Sequence, residues 1–278
     1  MNISRLGFGA GHIGDAALSE HEAGALLNAL VDEGITLFDT ARSYGLSEER
    51  IGRHLAHRRD EIVLSTKIGY GIDGYEDWTG AIIAPAVERA LRVLRTDVLD
   101  IVHLHSCPLD VLQRGDVVDA LHRCVEEGKV RVAAYSGDNE AAEWAAASGR
   151  FGAIQTSINV FDQRAIERVL PLVRGRIVIA KRPLGNAPWR FESRPYGDDA
   201  EEYWVRWREM GLDRGELTWN TLALRFTLGI DGVTTAITGS RSLAHMRSNL
   251  AAAAKGPLPD EVQRTIRAAF RREWAGKI

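Results

Sequence analysis

The chain's 278 residues, 45% of them hydrophobic, suffice to bury the core of one α/β barrel or of two smaller domains. Its formal net charge of -3 supplies no one-sided basic field of the kind nucleic acid needs. Only Cys107 and Cys124 are present, which excludes a disulfide framework or a four-cysteine iron-sulfur site and suits a reducing cytoplasm. The stretch from Met1 to Leu6 lacks the apolar run of a signal peptide, and no segment approaches the roughly 20 apolar residues of a membrane span. A cytoplasmic protein with neither membrane nor nucleic-acid partners is therefore expected. Arg264, Arg267, Arg271, Arg272 and Lys277 alternate with Val262, Ile266, Ala269 and Phe270 at helical spacing, and this basic cluster reads as the solvated face of a helix.

Residues 6–11, Leu-Gly-Phe-Gly-Ala-Gly, read as a first strand whose glycines let another group approach the backbone; their spacing does not fit the GxGxxG dinucleotide fingerprint. Ser19 with Glu22 forms a capping-box pattern, followed by the apolar stripe Ala23, Leu26, Leu27, Leu30 and Val31 of a helix that Gly34 ends. Residues 35–38 make a short apolar second strand, which Ser43-Tyr44-Gly45 breaks into a loop. A helix starting near Ser47 turns Ile51 and Leu55 inward, and a third strand over 61–67 ends in Lys67. After a loop over 69–80 rich in Gly, Tyr and Trp comes a helix with Pro85 in its first turn and Val87, Ala90, Leu91 and Leu94 on its buried face. Strand four, 99–105, ends in His105, and a helix over 117–127 stops at Gly128. Strands five to eight are read at 130–136, 153–158, 176–181 and 232–238, with helical patterns at 139–148, 163–173, 216–229 and after Ser242.

Short apolar strands alternating with helices are the signature of a parallel (β/α)8 TIM barrel, since each parallel connection needs a helical crossover. One barrel domain over 1–278 is expected. An open doubly wound sheet would carry a phosphate fingerprint on an early strand-helix turn, and none is present. In a barrel the loops after the strands form the active face, so Asp39, Lys67 and His105, each at the end of a strand, converge on one mouth with Tyr44 beside them.

These residues lie in stretches that resemble the aldo-keto reductases over nearly the whole chain. The matching stretches are Phe38-Asp39-Thr40-Ala41 with Tyr44-Gly45 and Ser47-Glu48; Thr66-Lys67; Asp100 through His105; Gly128-Lys129-Val130-Arg131; Gln155; Pro183-Leu184-Gly185; and Thr238-Gly239-Ser240-Arg241 leading to Asn249. The resemblance implies hydride transfer between a nicotinamide cofactor and the carbonyl or alcohol of a small aldehyde, ketone or sugar, with Asp39, Tyr44, Lys67 and His105 as the catalytic tetrad. The residue types suit that chemistry. Hydride delivery to a carbonyl leaves negative charge on oxygen, which a positioned acid must protonate or stabilise. Tyr44 is the expected acid; a free tyrosine, with a pKa of about 10, is a poor donor at neutral pH, and a nearby ammonium such as Lys67 favours its charged form. Asp39 would hold Lys67 charged and aimed, and His105 would orient the substrate oxygen.

For the cofactor, the resemblance implies a Ser-Asn pair and a Gln on the nicotinamide amide. Ser136-Gly137 and Gln155 stand at those positions, with Asp138 or Asn139 able to replace the missing Asn. Where relatives often stack an aromatic ring on the nicotinamide, this chain has Ala180-Lys181-Arg182-Pro183-Leu184. Lys181 or Arg182 can reach the pyrophosphate, or a guanidinium can lie flat on the ring, with Leu184 as a further contact. Gly239, Ser240 and Arg241 open a helix whose N-H groups can meet a phosphate. Arg241 is the expected partner of the 2'-phosphate of NADP, His245 stands where many relatives carry a second basic residue, and Asn249 matches the Asn that reads the adenine. NADP(H) is the expected cofactor, with NAD(H) as the alternative.

Other functional readings compete. A non-catalytic member would bind the cofactor as a sensor or regulatory subunit, against which the intact tetrad argues. His103 and His105 form an HxH on one face of strand four, as in metal-dependent barrel hydrolases, yet strands five to eight end without a histidine. No metal is expected, and His103 reads as an inward core residue; His12 is either a pocket residue or a loop histidine. Residues 186–215, with Trp189, Phe191, Tyr196, Tyr203, Trp204 and Trp207, are too long for an ordinary connection. They read as a lid over the cofactor that also contributes a pocket wall; a satellite core under a surface excursion is the alternative, which Trp204 and Trp207 at helical spacing would also give.

Overall fold

In a computed structural model of the chain, described over residues 1–274, parallel strands close into a barrel in sequence order, β1 to β8. The strands are β1 Leu6–Gly9, β2 Leu37–Asp39, β3 Val63–Ile68, β4 Leu99–His105, β5 Val130–Ser136, β6 Ala153–Ser157, β7 Ile177–Lys181 and β8 Thr235–Thr238. Leu6 of β1 pairs with Ala236 of β8, which completes the ring and confirms the (β/α)8 barrel. Outside it lie α1 Glu20–Asp32, α2 Ser47–Leu55, α3 Gly80–Leu94, α4 Leu109–Arg114, α5 Asp116–Glu126, α6 Asn139–Ala147, α7 Arg164–Arg168, α8 Glu201–Met210, α9 Trp219–Leu228, α10 Leu243–Ala253 and α11 Asp260–Trp274. The capping box expected at Ser19 and Glu22 is formed. Among the described residues no helix is long and apolar enough to cross a membrane. The basic C-terminal stretch forms α11 as expected, except that Lys277 lies outside the described residues.

Strand eight begins at Thr235 and the helix read over 216–229 at Trp219, both later than expected, and other elements depart from expectation for local reasons. The first strand stops at Gly9, and a 3-10 turn over Ala10–Gly14 follows. Pro85 lies inside α3 instead of in its first turn, because the helix already begins at Gly80. The only backbone bond lost to the ring is to the carbonyl of Ala81, a residue that faces solvent. The helix read over 163–173 is broken: α7 ends at Arg168 and a 3-10 turn, Leu170–Leu172, takes over, since Pro171 has no N-H to continue the ladder.

The barrel's interior follows from the two-residue alternation of a strand. Outward side chains such as Phe8, Phe38, Leu64, Val102, Leu104 and Ile154 join the main core under the helices. Inward ones, Leu37, Val63, Ile101, Ala134, Ala153 and Ile179, form a separate apolar plug in the N-terminal half of the barrel. Two residues further along each strand the same inward face becomes polar: Asp39, Ser65, His103, Ser136, Gln155 and Lys181. One more step on β3 and β4 gives Lys67 and His105. The plug is therefore the floor on which a polar layer stands, at the end of the barrel where the strands give way to loops.

Helix α2 ties the loop after β2 to its neighbours. Ser47 Oγ donates to the Ala10 carbonyl (2.9 Å) and accepts from Thr40 Oγ1 (2.8 Å), while the buried Glu48 accepts from Thr66 Oγ1 (2.6 Å) and pairs with Arg89 on α3. The helix can lie this close to α3 because Gly52 has no side chain; a methyl there would fall 2.1 Å from the Val93 carbonyl oxygen. Gly52→Ala is expected to destabilise the fold by about 1–3 kcal/mol through overpacking, outweighing its better helix propensity. Urea unfolding measures this, and an unchanged midpoint would contradict the tight α2-α3 contact.

Candidate active site

The ends of β2, β3 and β4 bring Asp39, Lys67 and His105 together. Asp39 is level with Ser65 across the sheet and Lys67 with His103, so the lysine sits one inward layer above the carboxylate. Its Nζ reaches back to Asp39 Oδ2 (2.6 Å) and donates to the Thr40 carbonyl (2.8 Å). Both side chains are 2% exposed. Burial is the largest single influence and pushes the carboxyl up and the ammonium down, but the neighbouring charges and hydrogen bonds together outweigh it. Asp39 ends below the usual carboxylate range and Lys67 above the usual lysine value, so the pair is ionised. Asp39 Oδ1 accepts from Ser65 Oγ (2.8 Å) and Gln155 Nε2 (2.9 Å), so both carboxylate oxygens are engaged.

Tyr44 is held over this pair, with Lys67 Nζ 4.9 Å from the centroid of its ring. The loop that carries it is fixed against the first βα loop, where Leu46 N donates to the Gly14 carbonyl (3.0 Å) and a methyl at Gly14 would collide with the Tyr44 carbonyl. The ring of His105 meets Tyr44 edge-on at 6.0 Å. Burial first, and then the Lys67 ammonium, push the His105 imidazole down to about 3, which leaves it neutral at physiological pH. His103 lies beneath, fully buried, with Nε2 3.0 Å from Ser65 Oγ and its pKa pushed down to about 4 by burial. Each imidazole of the HxH is thus turned to a hydroxyl: His105 Nδ1 lies 2.7 Å from Tyr70 Oη. Among the described residues no three His, Cys, Asp or Glu side chains gather in a metal-ligating group.

A cleft of about 760 Å³ opens above, and of the sequence-predicted residues Asp39, Tyr44, His105, Ser136, Gln155, Lys181, Arg182, Leu184, Gly239 and His245 line it. His12 lines it too. Lys67, buried beside Asp39, and Ser240, Arg241 and Asn249 are not among the lining residues. Ser136 Oγ donates to Gln155 Oε1 (2.6 Å), which links this pair to Asp39 through the Gln155 amide. At Gly137 a side chain has no room, because a Cβ would fall 2.2 Å from Tyr135 Oη. The neighbouring Asp138 pairs instead with Lys181 (2.8 Å) and Arg182 (3.4 Å) and accepts from Ser157 N (2.8 Å). Arg241 pairs with Asp15 (3.0 Å), Ser240 Oγ lies 3.4 Å from His245 Nδ1, and Asn249 Nδ2 lies 3.5 Å from Thr238 Oγ1.

The segment over 186–215 divides between two tasks. Trp189 stacks on Trp219 at 6.0 Å and Trp207 meets Trp219 edge-on at 5.8 Å, all three packed against the main core, while Asn186, Ala187, Arg190, Asp198 and Asp199 line the cleft. A pocket wall was expected from this segment, but Asn186, Arg190, Asp198 and Asp199, with Ser106, Asn220 and Tyr70, were not singled out in the sequence. The available signal was an aromatic-anchored excursion directly after a strand's C-terminal end. Ser106, Arg182, Asn186 and Ala187 all line the cleft in left-handed backbone, with φ between 51 and 57°, a conformation that costs about 1–3 kcal/mol per residue and concentrates at functional sites. A second cleft, of about 850 Å³, lies by Arg176 and Gly232, which precede β7 and β8, at the opposite end of the barrel where no strand delivers its C-terminus.

The profile of the Aldo/keto reductase family matches residues 5–271. The chain is 27% identical over 283 residues to the uncharacterized oxidoreductase YqkF of Bacillus subtilis (strain 168), covering 94% of this chain and 90% of YqkF. It is 49% identical over 74 residues to a D-threo-aldose 1-dehydrogenase of Pseudomonas sp, which is 25% of this chain and 22% of that one. Among solved structures, the holo form of the aldo-keto reductase AKR11C1 from Bacillus halodurans is similar with a TM-score of 0.81 and 26% identity, over 97% of this chain and 93% of that one. With a barrel of the matching fold and a family profile that spans β1 to α11, the chain belongs to the aldo/keto reductase family, which implies NAD(P)H-dependent oxidoreduction.

Proposed function

We propose that this protein transfers hydride between NADPH and the carbonyl carbon of a small aldehyde, ketone or sugar, with Tyr44 as the acid. The observation that carries this reading is the ionised Lys67–Asp39 pair, 2.6 Å apart, buried beneath the Tyr44 ring on the floor of a large polar cleft. The cleft's volume of about 760 Å³ falls within the range of about 300–1,000 Å³ typical of ligand sites. Its chemistry suits a nicotinamide cofactor: Ser136 and Gln155 offer a hydroxyl and an amide, Lys181 and Arg182 offer cations, and Gly9, Gly11 and Gly239 leave the backbone bare. When bound, the nicotinamide supplies or accepts the hydride.

The chain's own residues manage the oxygen. Tyr44 gives its proton to the substrate oxygen as negative charge develops there. The Lys67 ammonium stabilises the charge left on the phenol oxygen, and it costs no reorganisation because Asp39 and the Thr40 carbonyl already hold it. Neutral His105 holds the substrate oxygen in line with Tyr44. In the oxidative direction Tyr44 takes the proton back from an alcohol. A sugar is the substrate class best supported, by the polar lining of His12, Asn186, Arg190, Asp198 and Asn220 and by the local similarity to the D-threo-aldose 1-dehydrogenase. For NADPH over NADH, Arg241 would leave Asp15 and meet the 2'-phosphate.

Mixed with NADPH and an activated aromatic aldehyde, the protein is expected to consume NADPH, followed by absorbance. Tyr44→Phe should lower that rate by at least about a hundredfold; equal rates would overturn the assignment. Arg241→Ala should weaken NADPH about tenfold or more, read by quenching of the tryptophan fluorescence, and leave NADH binding unchanged. Equal weakening of both cofactors would remove the 2'-phosphate from the argument. Because His105 is already neutral, kcat/KM should show no histidine limb between about pH 5.5 and 7.5, around the ordinary imidazole pKa of about 6.5. A limb there that disappears in His105→Gln would contradict this charge state.

A further inference from the structure

The loop joining β3 to α3 is built with care yet takes no part in the proton and hydride steps above. Trp78 N donates to the Gly69 carbonyl (2.8 Å), Gly71 N donates to Asp77 Oδ1 (2.7 Å), and Arg114 of α4 donates to the Trp78 carbonyl (2.6 Å). Trp78 holds a left-handed backbone, with φ 61°, and its ring lies so close to Gly69 that a Cβ there would fall 2.1 Å away. The product of this packing is the placement of Tyr70, whose ring lies against Trp78 at 5.6 Å and stacks on His105 at 5.7 Å with 29° between planes. The Tyr70 hydroxyl ends 2.7 Å from His105 Nδ1 and 3.0 Å from Ser43 Oγ.

A neutral imidazole carries one ring proton, and the partner of one nitrogen decides which nitrogen has it. The Tyr70 hydroxyl has a single hydrogen to place. Given to Nδ1, it leaves the imidazole proton on Nε2; given to Ser43, it requires Nδ1-H and leaves Nε2 bare. A phenol is a good enough acid to donate, an imidazole nitrogen is a stronger base than a serine oxygen, and Nδ1 is the nearer acceptor at 2.7 Å against 3.0 Å for Ser43 Oγ, so the phenol proton goes to Nδ1. Nε2 is then the protonated nitrogen, of a residue that lines the cleft, and it has no protein partner among the described residues.

We propose that Tyr70 is a positioning residue that fixes His105 in its Nε2-H tautomer, so that the cleft presents a hydrogen-bond donor to the substrate oxygen. The opposite tautomer would aim a lone pair at an oxygen gaining negative charge. The consequence for rate rests on the hydride-transfer reading; the tautomer itself does not.

The test reads both. Long-range ¹H–¹⁵N correlation on the ¹⁵N-labelled protein, with the His105 signals assigned from His105→Gln, should show Nε2-H in the wild type. Tyr70→Phe keeps the ring and its stacking but loses the hydroxyl, and its His105 should shift toward Nδ1-H. The same variant should lose about tenfold in kcat with an unchanged NADPH dissociation constant and melting temperature. Ser43→Ala, which leaves the phenol free to donate to Nδ1, should keep the wild-type tautomer. Nδ1-H in the wild type, or Tyr70→Phe with unaltered tautomer and kcat, would overturn the proposal. The predicted tautomers in a protein that turns over no carbonyl would count against the hydride-transfer reading alone.

Discussion

A buried ion pair, Asp39 with Lys67, sets the terms for everything around it. Two charges taken out of water are expensive, and each is retained only because the other is 2.6 Å away and the remaining lone pairs and protons are satisfied. Ser65, Gln155 and the Thr40 carbonyl do that, and Gln155 is in turn fixed by Ser136. Groups from β2, β3, β5 and β6 therefore form one network, resting on the apolar plug below. Removing either charge would strand its partner in a dry interior, so the pair ties the chemistry to the integrity of the barrel.

The polar layer extends outward in a second charged group. Asp138 holds Lys181 and Arg182, two of the cations that line the cleft, and Arg241, after β8, is held by Asp15. Anionic cofactor groups entering the cleft must compete with these carboxylates, which keep the cations in place and their side chains ordered. Gly137 is bare for a steric reason, the Tyr135 hydroxyl behind it, and Asp138 takes up the neighbouring polar position.

Much of this architecture was legible in the residue pattern. The barrel followed from short apolar strands separated by helical stripes, and the mouth followed from Asp39, Lys67 and His105 standing at strand ends. Even the floor is present as a two-residue rhythm, in which Leu37, Val63 and Ile101 precede Asp39, Ser65 and His103 on the same faces. Helix interruptions were less legible, because Pro85 is tolerated wherever its lost bond faces solvent whereas Pro171 ended a helix. Least legible were pairings made across loops. Nothing in the spacing of Tyr70 and His105, or of Asp138 and Arg182, announces a contact that only the closed ring of strands creates. The stretch over 186–215 shows the same limit: its length and aromatic spacing announced a packed cluster and a pocket wall, but not that Asn186, Arg190 and Asp198 would be the residues to form it.

The central claim, that this site moves hydride onto a carbonyl carbon, is tested most directly by isotope transfer. The protein is incubated with NADPH carrying two deuterons at C4 of the nicotinamide and with an activated aromatic aldehyde, and the alcohol formed is examined by mass spectrometry. One deuteron on the carbinol carbon of the product is the predicted result. An alcohol without deuterium, or no alcohol at all while the cofactor is bound, would contradict it.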